Sequence, residues 1–164
     1  MALVESFSGI RGIFGKELTE EIAVKYGRAF FEFLEKEKAK IVIGRDTRES
    51  GEKLFNSLIK GISGVVIDVG VASTPVIENC VRVFEADGGI IISASHNEPE
   101  FNGFKFLDKF GAVVCAENSE KIIKRMHEPL GIGIATPLGI GFANETEEPL
   151  GMGFTIVNKE KEAV

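Results

Sequence analysis

The chain has little cysteine, no excess of positive charge and no long apolar run. Its two cysteines, Cys80 and Cys115, cannot form a disulfide framework and lack metal-ligand spacing, so we expect both to be small buried hydrophobic residues. A net charge of −6 argues against general nucleic-acid binding, which requires a basic face. No apolar stretch approaches the roughly 18 residues of a membrane span, and the N-terminus lacks the apolar core of a signal peptide. We therefore expect a cytoplasmic protein with no nucleic-acid or membrane partner.

Strand and helix patterns alternate along the first part of the chain. Residues 19–38 have the apolar spacing of an amphipathic helix, with Thr19 as its N-cap. The patterns that follow are a strand at 40–44, a helix capped by Ser50 and reaching Ile62, a strand at 64–70, a helix at 74–86 capped by Thr74, strands at 88–94 and 103–108, and a helix at 119–127. This order predicts a three-layer α/β/α fold with a mixed, mainly parallel sheet of about four strands.

The composition changes from residue 129 onward. Three imperfect copies of a Pro-Leu-Gly unit begin at Pro129, Pro137 and Pro149, and glycine alternates in them with large apolar residues. Extra strands with one apolar face and a disordered tail fit this pattern equally well, and an exposed flat strand would promote association. We therefore predict a domain at 1–128 and a Gly-rich appendage at 129–164.

Three polar loops follow predicted strands, at 44–48 (GRDTR), 70–75 (GVASTP) and 94–97 (ASHN). Ligands of open α/β sheets bind beyond the carboxyl ends of the strands, so Ser95 is a candidate nucleophile. A protease-like dyad with His96 is disfavoured, because neighbouring side chains of an extended chain point to opposite sides and the G-x-S-x-G elbow is missing. Phosphoryl transfer needs a nucleophilic oxygen among cations, and the candidate cations are Arg11, Arg45, Arg48 and Lys105.

Each of these residues also has a purely structural interpretation. The Ser-His-Asn run fits a polar turn, and Asn97 and Asn102 are typical local turn formers. Arg45 and Arg48 have Asp46 and Glu49 beside them as surface ion-pair partners. Lys105 is harder to explain in this way, since strand alternation places it on the face opposite Phe104 and Phe106.

Four motifs occur in order: SGIRG (8–12), IVIGRDTRESG (41–51), DVGVASTPV (68–76) and GGIIISASHNEPEFNGFKF (88–106). Together they resemble the first domain of the α-D-phosphohexomutases, the phosphoglucomutase/phosphomannomutase family, over residues 6–125. The resemblance implies that Ser95 is phosphorylated and exchanges its phosphoryl group with a hexose phosphate through a hexose 1,6-bisphosphate. It further implies that His96 shapes the loop and that Lys105 and Arg11 handle protons and contact phosphate. Residues for phosphate binding or loop support are Asn97, Asn102, Arg45, Asp46 and Arg48.

The chain also departs from the family pattern. Glu98 stands where the family commonly has proline. The resemblance implies a Mg²⁺ ion bound by the phosphate on Ser95 and by three aspartates of a D-x-D-x-D run, and no such run is present. We therefore expect the chain to be incomplete alone, with the missing domains supplied by another chain or with self-association through the tail. A non-catalytic binding or oligomerisation module and a truncated remnant of the same fold are the alternatives.

Overall fold

The computed structural model describes residues 2–6, 8–129 and 155–158. The strands are β1 (Val4–Ser6), β2 (Gly9–Ile13), β3 (Lys40–Arg45), β4 (Val65–Val71), β5 (Gly88–Ile92), β6 (Phe101–Leu107) and β7 (Thr155–Asn158). The helices are α1 (Glu20–Phe33), α2 (Ser50–Leu58), α3 (Thr74–Val83) and α4 (Ala116–His127), and a 3₁₀ turn at Ile59–Gly61 extends α2.

Seven strands of the described residues form one sheet in the order β1-β2-β6-β5-β3-β4-β7. Strand β3 pairs in parallel with β4 and with β5. The other four pairings, β1 with β2, β2 with β6, β5 with β6 and β4 with β7, are antiparallel. The α/β class and the mixed sheet are thus confirmed, but the sheet is larger than the predicted four strands. Among these seven strands, parallel pairing is confined to β5, β3 and β4.

The short connection between β5 and β6 explains this difference. A parallel connection needs a crossover of a dozen or more residues, whereas residues 93–100 join β5 to β6 directly. The chain therefore turns back on itself and β6 runs antiparallel to β5. Strands β1 and β2 were not predicted, because they are only three and five residues long and β2 contains two glycines. Strand β7 falls in the appendage, where extra strands were one of the two interpretations.

Helices cover both faces of the sheet, which confirms the three-layer arrangement. Helices α1, α2 and α4 pack on one face, where Tyr26 and Phe30 of α1 meet Phe104 and Phe106 of β6 at ring-centroid distances of 5.1–5.9 Å. Helix α3 packs on the other face with a smaller apolar cluster. Phe104 and Phe106 therefore point to the three-helix side, and the alternate residues of β6 point to the side of α3.

The N-terminus of α1 is as predicted, and the other helix caps differ. The Thr19 hydroxyl accepts a hydrogen bond from the Ile22 N–H at 3.3 Å. Ser50 and Thr74 are the first residues of their helices, and the N-cap positions belong to Glu49 and Ser73. Helix α1 ends at Phe33, before the predicted residue 38, and α4 begins three residues before the predicted Ser119.

The two cysteines differ in environment. Cys80 is buried on α3, and burial raises the pKa of its thiol. Cys115 is exposed at the N-cap of α4, so the prediction of a buried residue is wrong there. The position before a helix faces solvent here, although the residues around Cys115 in the sequence are apolar.

One part of the predicted appendage is described. Strand β7 pairs with the outer edge of β4, with Ile67 opposite Ile156. Residues 130–154 and 159–164 lie outside the described residues, so the two-part division of the chain stays a prediction. Within the described ranges no helix is both long and apolar enough to cross a bilayer.

Candidate active site at the carboxyl end of β5

Ser95 lies on an exposed turn between β5 and β6. Strand β5 is buried up to Ile92, and Ala94 is buried as well, but Ser95 is exposed. Its φ of 58° is left-handed, a conformation that costs a non-glycine residue about 1–2 kcal/mol. The N–H of Ser95 donates to the Ser93 hydroxyl at 3.0 Å, which helps to hold this conformation. The hydroxyl of Ser95 therefore stands clear of the packed sheet.

His96 is closer to the Ser95 hydroxyl than the sequence suggested. Its Nδ1 lies 3.4 Å from Oγ of Ser95, a long contact between exposed side chains. The expectation that the two side chains diverge assumed an extended chain, and the left-handed turn at Ser95 removes that assumption. The imidazole is therefore available to exchange a proton with the hydroxyl.

Arg11 and Lys105 lie on adjacent strands and on the same face of the sheet. Arg11 of β2 is opposite Gly103 of β6, and Lys105 is two residues further along β6. Since side chains alternate along a strand, both cations project to the face opposite the buried Phe104. The start of the Ser95 loop adjoins them, because the Ser93 N–H donates to the Gly103 carbonyl at 3.0 Å.

Glycines on the partner strands leave room for the two cationic side chains. A Cβ built on Gly103 would lie 3.2 Å from Cγ of Arg11, and one built on Gly9 would lie 3.1 Å from Cγ of Lys105. Neither cation has an ion pair or a side-chain hydrogen bond within the described part of the chain. Unpaired cations beside an exposed hydroxyl create a local positive potential suited to an anionic ligand, in spite of the negative net charge.

The two arginines of the 44–48 loop have different surroundings. Arg45 donates to Asp68 at 2.8 Å and lies over the ring of Phe55, 5.0 Å from its centroid. Arg48 donates from Nε to Asp46 at 3.1 Å and extends across to the Ser95 loop. The predicted pairing with a neighbouring carboxylate thus exists for Arg48, whereas the partner of Arg45 is on β4.

The two asparagines also occupy distinct positions. Asn102 is fully buried, its Nδ2 donates to the Ser50 hydroxyl at 2.8 Å, and its Oδ1 accepts from the Gly103 N–H at 2.8 Å. It therefore ties β6 to the start of α2. Asn97 is half-buried in the Ser95 loop, and its Oδ1 is a buried atom without a hydrogen-bond partner in the described residues.

A cleft of about 500 Å³ opens beside the loop. Its lining residues are Asp46, Thr47, Arg48, Glu49, Ser95, Asn97 and Pro99. The lining contains two carboxylates and a single cation, so the cleft itself does not supply positive potential. Arg11 and Lys105, on strands β2 and β6, are the candidate sources of positive charge outside this lining.

The donors needed for a metal ion are not gathered near Ser95. The described residues contain no group of three or more His, Cys, Asp or Glu side chains placed to hold an ion. A phosphate on Ser95 alone is a poor magnesium site, because Mg²⁺ is normally bound through carboxylates together with phosphates. The described part of the chain therefore does not fit the Mg²⁺ ion that the resemblance implies.

Three residues that support the site were not named as site residues in the sequence analysis. They are Ser93, which accepts from Ser95, Ser50, which accepts from Asn102, and Asp68, which holds Arg45. Asp68 also accepts from the Gly70 N–H at 2.8 Å, and Asp two residues before Gly is a recognisable turn signal. The contacts of the two serines had no comparable signal in the sequence. The partner of Ser50 is distant in the chain, and the partner of Ser93 is a main-chain N–H.

Comparisons with known proteins agree with the fold and the motifs. The family model described as phosphoglucomutase/phosphomannomutase, alpha/beta/alpha domain I, matches residues 5–130. A phosphoglucomutase/phosphomannomutase from Thermococcus kodakarensis is 49% identical over 124 residues, which are 72% of this chain and 27% of that relative. A phosphoglucosamine mutase from Caldanaerobacter subterraneus subsp. tengcongensis is 38% identical over 143 residues, covering 84% of this chain and 32% of the relative.

Solved structures show the same similarity. The crystal structure of a phosphoglucomutase/phosphomannomutase family protein from Burkholderia thailandensis matches with a TM-score of 0.68 and 32% identity, over 77% of this chain and 30% of that chain. This chain thus spans about a third or less of the length of the proteins that it matches.

Proposed function

Because the chain belongs to the phosphoglucomutase/phosphomannomutase family, we propose that it is the phosphoserine-bearing domain of a phosphohexomutase. In this function Ser95 exchanges a phosphoryl group with a hexose phosphate, and the 1- and 6-phosphates interconvert through a hexose 1,6-bisphosphate. The observation that supports it most is the exposed Ser95 hydroxyl on a left-handed turn that follows β5, near strands whose Arg11 and Lys105 have no partner among the described residues.

The transfer is a displacement at phosphorus. Attack on the bisphosphate forms a bond between Oγ of Ser95 and phosphorus and breaks the bond between phosphorus and a sugar oxygen. Nδ1 of His96, at 3.4 Å, accepts the serine proton. The Lys105 ammonium gives a proton to the departing sugar oxygen, and Arg11 offsets the charge on the moving phosphoryl group. Reversal of these steps onto the other sugar hydroxyl completes the isomerisation.

A divalent cation would further offset the charge of the phosphoryl group, and Mg²⁺ is the ion that the family resemblance implies. The carboxylates that hold it would come from outside the described residues, because no suitable group exists among those described. The roles of Ser95, His96, Lys105 and Arg11 above depend on their own side chains alone.

The described residues form only one side of a binding site. Fixing both reactants gives the largest gain in catalysis, and the chain corresponds to 27% and 32% of the length of two mutase relatives. We therefore propose that the domain acts together with further domains that bind the sugar and the metal. The second candidate is a module of this fold that binds phosphate esters without turnover, which is favoured by the lack of a metal-ligand group among the described residues.

A chimera tests the proposed function directly. Residues 1–128 of this chain replace the matching segment of the Thermococcus kodakarensis relative, and conversion of glucose 1-phosphate to glucose 6-phosphate is followed. The 49% identity over the matched region favours correct docking of the foreign domain. We expect turnover by the chimera and loss of turnover when Ser95→Ala is introduced.

A second serine provides the control for this experiment. Ser63 is exposed in the loop before β4, so Ser63→Ala should leave turnover of the chimera unchanged. A chimera that binds the sugar phosphate but shows no turnover would support the non-catalytic module. Turnover that survives Ser95→Ala would contradict the proposal.

A further inference from the structure

All five N–H donors of Arg48 are used, and four of them reach main-chain oxygens of one loop. Nη2 donates to the carbonyls of Ser95 and Asn97 at 3.1 and 2.7 Å, and Nη1 donates to those of Glu98 and Phe101 at 2.6 and 3.0 Å. The fifth donor, Nε, is held by Asp46 at 3.1 Å. The Arg48 side chain is 12% exposed. It therefore lies inside the curve of the loop and does not project into solvent.

This arrangement also fixes the direction of two main-chain N–H groups. In a trans peptide the N–H points opposite to the C=O of the same unit. The Ser95 carbonyl shares its peptide unit with the His96 N–H, and the Asn97 carbonyl shares its unit with the Glu98 N–H. Since both carbonyls point at Arg48, both N–H groups point away from it. Neither N–H has a hydrogen-bond partner among the described residues, and His96 and Glu98 are exposed.

Two unpaired N–H groups on one side of a turn are a recognised device for binding anions. Here they lie in the loop that bears Ser95, whose own left-handed conformation reverses the chain at this point. A phosphoryl oxygen is a strong acceptor, and hydrogen bonds to a charged acceptor are about twice as strong as those between neutral groups. The loop thus has donors suited to a phosphoryl group at the place where one would be attached.

We propose that Arg48 is a positioning residue that turns the N–H groups of His96 and Glu98 toward a phosphoryl group on Ser95. Arg48 does not touch that group: it binds the carbonyl side of the peptides and leaves the N–H side free. This inference rests on the proposed function, since it takes Ser95 as the phosphorylated residue.

Arginine suits this role and lysine does not. The guanidinium presents its five donors in a rigid planar fork, whereas an ammonium has three donors on a flexible stem. Arg48→Lys therefore keeps the positive charge but leaves at least two of the present acceptors unpaired. Any change in this variant therefore reports the geometry of the loop, because the positive charge beside the loop is kept.

The test uses the full chain with phosphoserine installed at position 95 during translation, so that it does not depend on enzymatic phosphorylation. The second pKa of the phosphate is measured by ³¹P NMR titration. Hydrogen bonds to the dianion lower that pKa, so we expect a value below the roughly 6 of free phosphoserine. Arg48→Lys should return the value toward about 6. The matched control is Arg82→Lys, which removes an arginine that donates to the Phe110 carbonyl far along the chain and should leave the value unchanged.

A pair of variants at position 98 examines one donor separately and keeps the test valid if Arg48→Lys fails to fold. Glu98→Gln and Glu98→Pro both remove the carboxylate, but only proline lacks the N–H. We expect a higher phosphate pKa in Glu98→Pro than in Glu98→Gln. Equal values for these two variants, or an unchanged value in a folded Arg48→Lys protein, would overturn the inference. If the pKa changes are observed but the chimera shows no turnover, only the proposed catalytic function is overturned.

Discussion

At the scale of single residues, Lys105 is the side chain whose replacement is most informative about catalysis. It is half-buried on β6, unpaired within the described residues and placed with Arg11 on one face of the sheet. General acid–base groups contribute about 10²–10⁴-fold to a rate. In the chimera, Lys105→Ala should therefore lower kcat by about 10²-fold or more.

The matched control for this prediction is Lys109→Ala. Lys109 is an exposed lysine just beyond the end of β6, where its ammonium lies over the ring of Phe110. Turnover by this variant should be close to that of the parent chimera. Equal losses in the two variants would mean that Lys105 acts through the general charge of the region, and the assigned proton transfer would be wrong.

The sequence suggests candidate site residues where a residue type has a chemical use of its own, and their roles stay predictions. Ser95 follows a buried strand in a polar loop, and Arg11 and Lys105 lie on one face of the adjacent strands β2 and β6. The contacts of Arg48 were not predictable in the same way, because its partners are main-chain carbonyls and any residue has one. The left-handed turn at Ser95 could not be predicted from the sequence either, because glycine is the residue that usually indicates this conformation and the position is a serine.

At the scale of elements, the close pairing of β2 with β6 depends on Gly103. A Cβ at this position would lie 2.1 Å from the carbonyl oxygen of Ile10, which is main chain and cannot move aside independently. Gly103→Ala should therefore lower the free energy of unfolding by about 1–3 kcal/mol, as overpacking commonly does. Urea denaturation measures this change. The altered pairing of β2 with β6 should also displace Arg11 and reduce turnover of the chimera.

Gly51→Ala is the comparison for this substitution. A Cβ on Gly51 would make only ordinary contacts, at 3.4 Å or more, and Gly51 is the second residue of α2. Alanine in a helix is favoured over glycine by about 0.5–1 kcal/mol, so this variant should be as stable as the parent or more so. Similar losses in both variants would contradict the close-approach explanation for Gly103.

Asp87 contacts the loop after α1 and the start of β3 and gives stability a pH dependence. Its carboxylate accepts from Nζ of Lys36 at 2.5 Å and from the Lys40 N–H at 2.9 Å. Burial alone would raise the pKa of Asp87, but these hydrogen bonds and the lysine charges outweigh it and lower the pKa. A lowered pKa in the folded state means stabilisation that is present above about pH 4 and is lost as pH falls through the folded-state value.

The variant Asp87→Asn makes this contribution measurable. It should lower the free energy of unfolding by about 1–2 kcal/mol at pH 7, and the difference from the parent should shrink toward pH 3. Glu120→Gln, at an exposed position of α4, should change little at either pH. A difference for Asp87→Asn that stays the same across this range would show that the carboxylate charge is not its cause.

Sequence patterns located the long elements better than the short ones. Thr19 followed by an apolar stripe placed the start of α1 correctly, because capping and periodicity agree there. Strands β1 and β2 were missed, since the first is three residues long and the second contains two glycines. The predicted parallel pairing does not hold for β6, because the length of the preceding loop, and not strand composition, decides the direction of a strand.

At the scale of the whole molecule, β7 protects one edge of the sheet. It pairs with β4 over four residues and so satisfies main-chain groups that would otherwise be open at that edge. Removal of residues 130–164 should therefore lower the melting temperature and increase self-association. Size-exclusion chromatography and thermal unfolding of the two lengths measure both effects.

The opposite result would change the role given to this part of the chain. If the shortened chain is monomeric and the full chain forms oligomers, the appendage is an association element, as one interpretation of its Gly-alternating repeats proposes. Addition of a soluble peptide spanning residues 150–160 should reverse the association of the shortened chain if the open edge of β4 causes it.

The location of phosphate on the chain decides whether Ser95 is the nucleophile. The full chain is incubated with excess glucose 1,6-bisphosphate and Mg²⁺, alone and with a separate polypeptide that supplies the remaining domains of the Thermococcus kodakarensis relative, and peptides are mapped by mass spectrometry. We expect one phosphate per chain, on Ser95, formed faster when the second polypeptide is present. Phosphate on another residue such as Ser93, or none in either mixture, would contradict this expectation.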